Sequence, residues 1–198
     1  MDYVIYAVIA VAAYLLGSIS SSIVLSKLVF RTDVRKKGSG NAGATNVARN
    51  FGMKAGVMTL LGDMLKTLIA MTIGVLLGGD VGKAVAGIAC LMGHSFPIFF
   101  NFKGGKGISV GAVVAAFVGW PHFFFVIALF AVGVAVTHIV SVGSVMAAAG
   151  LPVAVLLFGA SKPEVVLSIV GAVLVVWMHR QNIHRLVRGE EKKFQPKR

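Results

Sequence analysis

The chain alternates long apolar runs with short polar breaks, and the breaks lay out its organisation. Residues 3–26 contain no Asp, Glu, Lys or Arg and predict a first membrane span. No Lys or Arg precedes Lys27, so this run reads as a retained helix and not as a cleaved leader. Residues 31–54 form a polar loop carrying Arg31, Arg35, Lys36, Lys37, Arg49 and Lys54 against one acid, Asp33. Residues 55–78 are apolar except for Asp63 and Lys66 and predict a second span, ended by Gly78-Gly79-Asp80. A third run starts near Val81 and reaches about His94. Pro97 then disrupts it beside an interfacial aromatic cluster, Phe96, Phe99, Phe100 and Phe102.

From Gly107 to Ser161 there are 55 residues without an Asp, Glu, Lys or Arg. As helix that is roughly 80 Å, two to three crossings of a core about 30 Å thick. Trp120-Pro121 and Ser141-Val142-Gly143-Ser144 are the natural breakpoints, predicting helices near 108–119, 122–139 and 144–159. The first of these is short for a full span. A last run, 164–178, leads into a tail with seven Lys and Arg, including Lys197 and Arg198.

Basic loops stay on the cytoplasmic side of a membrane, so loop 31–54 and the tail 179–198 belong there together. Seven helices with the N-terminus outside satisfy that parity; five do so if two segments of 107–161 do not cross. The fold class expected is all-α: a polytopic integral membrane protein with about seven transmembrane helices, some short, and a cytoplasmic C-terminus. Residues 1–198 form a single membrane-embedded domain in this reading.

Composition sharpens the picture. With 57% hydrophobic residues, 13% charged and a mean hydropathy of +0.88, a disordered tail, a disulfide scaffold and a soluble enzyme are excluded. The 19 Lys and Arg against 7 Asp and Glu suit a protein that handles anions, beyond what topology requires. The single cysteine, Cys90, rules out internal disulfides and a cysteine metal site. The 24 glycines suit close helix packing in lipid, and no internal repeat supports an inverted-repeat transporter.

Three segments gather groups that bind anions. The first runs from Arg35 to Arg49 and contains Gly38-Ser39-Gly40-Asn41-Ala42-Gly43, then Thr45 and Asn46. Its G-x-G-x-x-G match is weak because no strand precedes it, and a flexible basic loop meeting anionic lipid explains it equally well. Small residues still let backbone N–H groups approach a phosphate. The second is His94 to Gly107, where Lys103-Gly104-Gly105-Lys106-Gly107 offers two point charges among glycines. It is not a Walker A loop, since Phe100 stands where that motif needs Gly. The third is Trp177 to Glu191; on a continued helix His179 and Asn182 share a face at the membrane boundary. Asp63 and Lys66 can pair inside their span, as a structural pair or as a wall of the site. Motifs of histidine-aspartate acyltransferases, lipid phosphatases and CDP-alcohol transferases are absent.

Taken together, Gly38-Ser39-Gly40-Asn41-x-Gly43-Ala44-Thr45-Asn46-x-x-Arg49, Gly93-His94-x-Phe96-Pro97-x-Phe99-x-x-Phe102-Lys103-Gly104-Gly105-Lys106-Gly107 and His179-x-x-Asn182-Ile183-x-Arg185-Leu186 resemble the bacterial acyl-phosphate:glycerol-3-phosphate acyltransferase family (PlsY). The resemblance spans the whole chain in order. It implies transfer of a fatty acyl group from acyl phosphate to the 1-hydroxyl of glycerol 3-phosphate. The products are lysophosphatidic acid and phosphate, in the first step of bacterial phospholipid synthesis at the cytoplasmic membrane. The partners implied are acyl phosphate, glycerol 3-phosphate and the lipid bilayer, with no nucleic acid, no metal and no cofactor; the oligomeric state stays open, a monomer being compatible with it.

The resemblance also implies residue roles. His179, Asn182, Ser39 and Arg49 are the expected catalytic residues. Lys106, Gly104, Gly105, Gly107, Lys103, Asn41, Thr45, Asn46 and Ser144 are the expected substrate-binding residues. Asp63, Lys66 and either Glu190 or Glu191, with Glu190 taken first, are structural; Thr67 after Lys66 departs slightly from the family's usual glycine.

An acyl phosphate is already activated, so the site must hold two phosphates, orient one hydroxyl and stabilise an oxyanion. His179 is the candidate base, with the substrate's own phosphate as the favoured rival because His179 lacks an evident carboxylate partner. A transporter of phosphorylated metabolites and a lipid-binding scaffold are the alternatives from other classes.

Overall fold

A computed structural model describes residues 2–195. Lys197 and Arg198 of the basic tail lie outside the described residues. Among the described residues nine α-helices follow in order: α1 Asp2–Ser18, α2 Ser21–Phe30, α3 Ala44–Phe51, α4 Met53–Ser95, α5 Ile108–Val118, α6 Trp120–Thr137, α7 Val140–Phe158, α8 Lys162–Met178 and α9 Arg180–Val187. No strand occurs among the described residues. By length and hydropathy four helical stretches can cross a membrane, five if α8 and α9, bent by 56° at His179, count as one. Large apolar side chains such as Leu76, Val136 and Leu156 point outward and are more than three-quarters exposed, as a lipid-facing surface requires.

The 43 residues of α4 are a hairpin. Gly79 adopts φ 56° and ψ −141°, a conformation that side-chain-bearing residues rarely reach, and the helix reverses there. Beyond the turn, Cys90 Sγ lies 3.8 Å from Thr67 Oγ1, and a Cβ placed on Gly74 would stand 2.6 Å from the Ala86 methyl. The Gly78-Gly79-Asp80 break expected between the second and third spans is thus the observed turn. Beside it Lys83 pairs with Asp80 at 3.0 Å and with Glu164. Glu164 also closes a capping box with Ser161, which fastens the start of α8 to the hairpin.

Other boundaries move. The first run is broken at Ile19–Ser20, where Lys66 Nζ donates to the terminal carbonyls Gly17 O (2.8 Å) and Ile19 O (2.7 Å). Those carbonyls have no partner within α1, so a cation inserted from α4 stabilises the break. The expected break at 141–144 lies inside α7. The chain instead reverses at His138, whose φ is 59°, and α7 begins at Val140. Loop 31–54 is partly helical, with a 3-10 turn at Val34–Lys36 and the amphipathic α3.

The apolar core joins α1, α4, α5, α6, α7 and α8 around Met71, Leu91, Val110, Val126 and Leu167. A second small cluster, Ile23, Val34, Ala42, Val47 and Ala55, sits under the 31–52 segment. It anchors that polar segment at the same end of the bundle as the 101–107 loop and α9.

Candidate active site

The site lies where three chain segments meet at the end of the bundle opposite the Gly79 turn. Loop 101–107 follows α4, and its glycines are required by close approach. Gly104 and Gly105 donate their N–H groups to Ser95 O (3.2 Å) and His94 O (3.0 Å), satisfying terminal carbonyls of α4. A Cβ on Gly105 would collide with the His94 ring, and one on Gly104 with the His94 carbonyl. The amides of Gly104 and Gly105 are therefore engaged by the helix end. Their work is to turn Lys106 inward.

Lys106 Nζ donates to Asn182 Oδ1. Asn182 Nδ2 donates to Glu191 Oε1, which also accepts from Ser141 Oγ at 2.8 Å. Arg185 Nε reaches Glu191 Oε2 at 2.6 Å. Glu191 therefore links α7, α9 and the tail through one carboxylate whose side chain is 6% exposed. The side chain of Glu190, the first choice for the structural acid, is exposed and makes no hydrogen bond or ion pair among the described residues; Glu191 is the acid that the network holds. Burial raises the Glu191 carboxyl, but the hydrogen bonds from Arg185, Asn182 and Ser141 outweigh it and hold its pKa below the usual value. Lys106 is pushed down to about 8, first by burial and then by the charge of Arg185, with Arg49 and Arg180 adding to it.

His179 occupies the bend between α8 and α9 and is 3% exposed. Its Nδ1 lies 2.8 Å from Val175 O. A carbonyl can only accept, so Nδ1 carries the proton and Nε2 is left with a free lone pair. No carboxylate hydrogen-bonds this ring among the described residues. Arg49, in the last turn of α3, donates to the tail carbonyls Lys192 O (3.0 Å) and Lys193 O (3.4 Å), and Phe194 N donates to His138 O. The tail thus runs across the end of the bundle, tied down on both sides.

The first loop is held by Asn46. Its amide donates to Val34 O, Lys37 O and Asn41 O, and its carbonyl accepts from Ser39 N and Asn50 Nδ2. Asn46 is buried with its amide group fully engaged, so it shapes the loop. Ser39 is exposed on that loop and Thr45 half-buried in the first turn of α3. Asn41 Nδ2 reaches Gly104 O at 3.4 Å, joining the first loop to the second. Asp33 and Arg35 make the same junction more firmly. Two side-chain hydrogen bonds (3.0 and 2.7 Å) hold Arg35 on Asp33, while its Nη1 reaches Phe100 O (2.6 Å) and Lys103 O (3.2 Å). Lys103 itself is exposed.

Ser144, one turn into α7, donates its hydroxyl to Val140 O; Ser141 is the serine that reaches this cluster. Asp63 and Lys66 form a buried pair at 3.1 Å, with His94 Nδ1 at 3.8 Å from Asp63, beneath the glycine loop. Sequence reasoning missed Ser141 and the Asp33–Arg35 lock because their partners lie far along the chain.

An apolar cavity of about 300 Å³ opens beside the polar cluster at Gly107 and Val175 and runs between α5, α6, α7 and α8 to Leu151 and Leu167. Lys106, the chain neighbour of Gly107 at its polar end, and hydrocarbon along its walls match an amphiphile with an anionic head.

The sequence profile described as glycerol-3-phosphate acyltransferase matches residues 7–189. The chain belongs to the glycerol-3-phosphate acyltransferase family. The glycerol-3-phosphate acyltransferase of Thermoanaerobacter pseudethanolicus is 42% identical over 195 residues, covering 96% of each chain. That of Finegoldia magna is 36% identical over 195 residues, covering 98% of each. A crystal structure of PlsY, an integral membrane glycerol 3-phosphate acyltransferase, in its glycerol 3-phosphate form aligns with a TM-score of 0.91 at 34% identity, covering 96% of both chains. The lysophosphatidic acid form aligns at 0.88 and 33%, covering 96% of this chain and 95% of that one. The present acyltransferase is accordingly an all-helical membrane enzyme of phospholipid synthesis.

Proposed function

We propose that this single membrane-embedded domain moves a fatty acyl group from acyl phosphate to the 1-hydroxyl of glycerol 3-phosphate. The observation that carries the reading is the adjacency of the Lys106–Asn182–Glu191 network to the mouth of the apolar cavity at Gly107 and Val175. Lys106 and Arg49 supply charge for phosphate oxygens, and the cavity takes the hydrocarbon. One relative, solved in a glycerol 3-phosphate form and in a lysophosphatidic acid form, supports the acceptor and the product.

In this mechanism the acceptor hydroxyl oxygen attacks the acyl carbonyl carbon, and the bond from that carbon to the phosphate oxygen breaks. The hydroxyl proton leaves with the departing phosphate, so charges and atoms balance without a covalent enzyme intermediate. His179 Nε2, which can only accept, takes a hydrogen bond from the neighbouring glycerol hydroxyl and so orients the acceptor, leaving the attacking hydroxyl's proton to the phosphate. Asn182, fixed by Glu191, keeps Lys106 over the phosphate. Holding both reactants in line is the main contribution, since the donor is already activated.

The basic residues cluster at one end of the bundle and the Gly79 turn lies at the other, which supports a site facing the bacterial cytoplasm, an external N-terminus and seven crossings. α5, about 16 Å long at 1.5 Å per residue, then relies on its flanking loops to complete its passage.

The test is turnover by purified protein given acyl phosphate and labelled glycerol 3-phosphate, followed by phosphate release. Turnover is expected with acyl phosphate and not with acyl-CoA or acyl carrier protein. Silence with every donor would sink the reading. A His179→Ala variant whose loss lies wholly in glycerol-phosphate affinity, with turnover intact, excludes His179 as the base.

A further inference from the structure

The cavity contains two positions that neither backbone conformation nor packing explains. Gly111 in α5 and Gly171 in α8 both line it. Both lie inside helices without positive φ, where glycine costs helix stability relative to alanine. Elsewhere around the core the space beside a glycine is filled. A Cβ on Gly87 would press on Leu167, and one on Gly107 on Leu91 and Val175. At Gly111 a Cβ meets nothing within 4 Å, and at Gly171 it meets only Leu91 Cδ2, at 3.9 Å. What these glycines supply is empty volume.

Their level in the cavity is definite. Gly111 lies four residues from Gly107 at the mouth, and Gly171 four from Val175, so each stands about 6 Å below the opening. Leu151 and Leu167 lie deeper. We infer that Gly111 and Gly171 form a neck through which an acyl chain must pass to reach the deeper cavity, and that they set the acyl-chain length this enzyme accepts. The inference rests on the acyl-phosphate reading above and adds the residues that govern its specificity. Each methylene admitted past the neck contributes about fourfold, the equivalent of about 0.8 kcal/mol for burying one CH₂.

The experiment compares Gly111→Leu and Gly171→Leu with the unaltered enzyme, using butyryl, octanoyl, dodecanoyl and palmitoyl phosphate. In the unaltered enzyme kcat/KM rises with chain length. In each variant butyryl phosphate is turned over within about twofold of normal, while palmitoyl phosphate loses about a hundredfold, the equivalent of three to four excluded methylenes. Uniform loss at every chain length, or palmitoyl turnover that stays normal, overturns the neck. Gly171→Ala, a milder filling, shows an intermediate loss confined to the longer donors. Competition between butyl and hexadecyl phosphate for binding to the purified proteins separates the neck from the reaction. If the unaltered enzyme turned over no acyl phosphate, the reaction would fall. Hexadecyl phosphate should still bind more tightly than butyl phosphate to it and not to the Leu variants; equal preference in all of them refutes the neck.

Discussion

Replacing Glu191 by alanine removes the acceptor of three hydrogen bonds at once. Arg185, Asn182 and Ser141 all point at this carboxylate, at 2.6, 2.5 and 2.8 Å. A hydrogen bond involving a charged group contributes about 1.5–3 kcal/mol, and a buried charge left without its partner costs about 3–5 kcal/mol. Asn182 then loses the contact that fixes its amide, and Lys106 loses a fixed partner in turn. If about 3–4 kcal/mol of that loss is felt at the site, kcat/KM falls between 100- and 1,000-fold, at about 1.4 kcal/mol per tenfold. Glu191→Gln keeps the shape and one acceptor oxygen but not the charge facing Arg185, and should lose about 10- to 100-fold. The assay is steady-state phosphate release with glycerol 3-phosphate varied, alongside thermal unfolding in detergent. Glu190→Ala is the control; its exposed side chain predicts a change within about twofold. A Glu190→Ala loss larger than that of Glu191→Ala, or normal turnover in Glu191→Gln and Glu191→Ala alike, refutes the hub.

Three further outcomes follow from the geometry. Lys106 is cationic below its depressed pKa of about 8, so kcat/KM should fall as pH rises through about 8; bound phosphate favours the charged form, so kcat should hold to higher pH. A profile flat to about pH 10, the range of an ordinary lysine, would refute the burial that depresses Lys106. Gly105→Ala places a methyl on the His94 ring and should raise the KM for glycerol 3-phosphate at least tenfold by displacing Lys106, whereas unchanged kinetics would mean that the loop has slack. Gly79→Ala, at φ 56° with open space around it, should lower stability by about 1–3 kcal/mol, read as a drop in the unfolding midpoint with the KM unchanged.

Much of this architecture is written locally in the chain. The charge-free runs mark the helices, and the Gly-Gly-Asp punctuation marks the hairpin turn, because a helix reverses most readily where a glycine can take φ 56°. The break at Ile19–Ser20 is different. Its only local sign is the small polar stretch Gly17-Ser18-Ile19-Ser20-Ser21-Ser22, and the cation that stabilises it, Lys66, arrives from α4. The start of α7 was misplaced for a related reason. Small residues at 141–144 look like a turn, yet they are tolerated in a helix packed closely against α6, where the chain passes Gly133 against Gly143. In the site, the glycine loop and the His179–Asn182 pair are legible as motifs. Asn46 shows the limit: a motif records that an amide is needed, whereas the five contacts that make it a scaffold are visible only in three dimensions.

The tail that carries Glu191 comes after every helix in chain order. A growing chain therefore commits all its hydrophobic segments to the bilayer before Asn182, Arg185 and Ser141 receive the carboxylate that organises them. Lys106 and Arg49, already in place, confront one another's charge without that counterweight. Tail-clipped molecules would occupy the membrane as helical bundles whose site lacks its organising carboxylate.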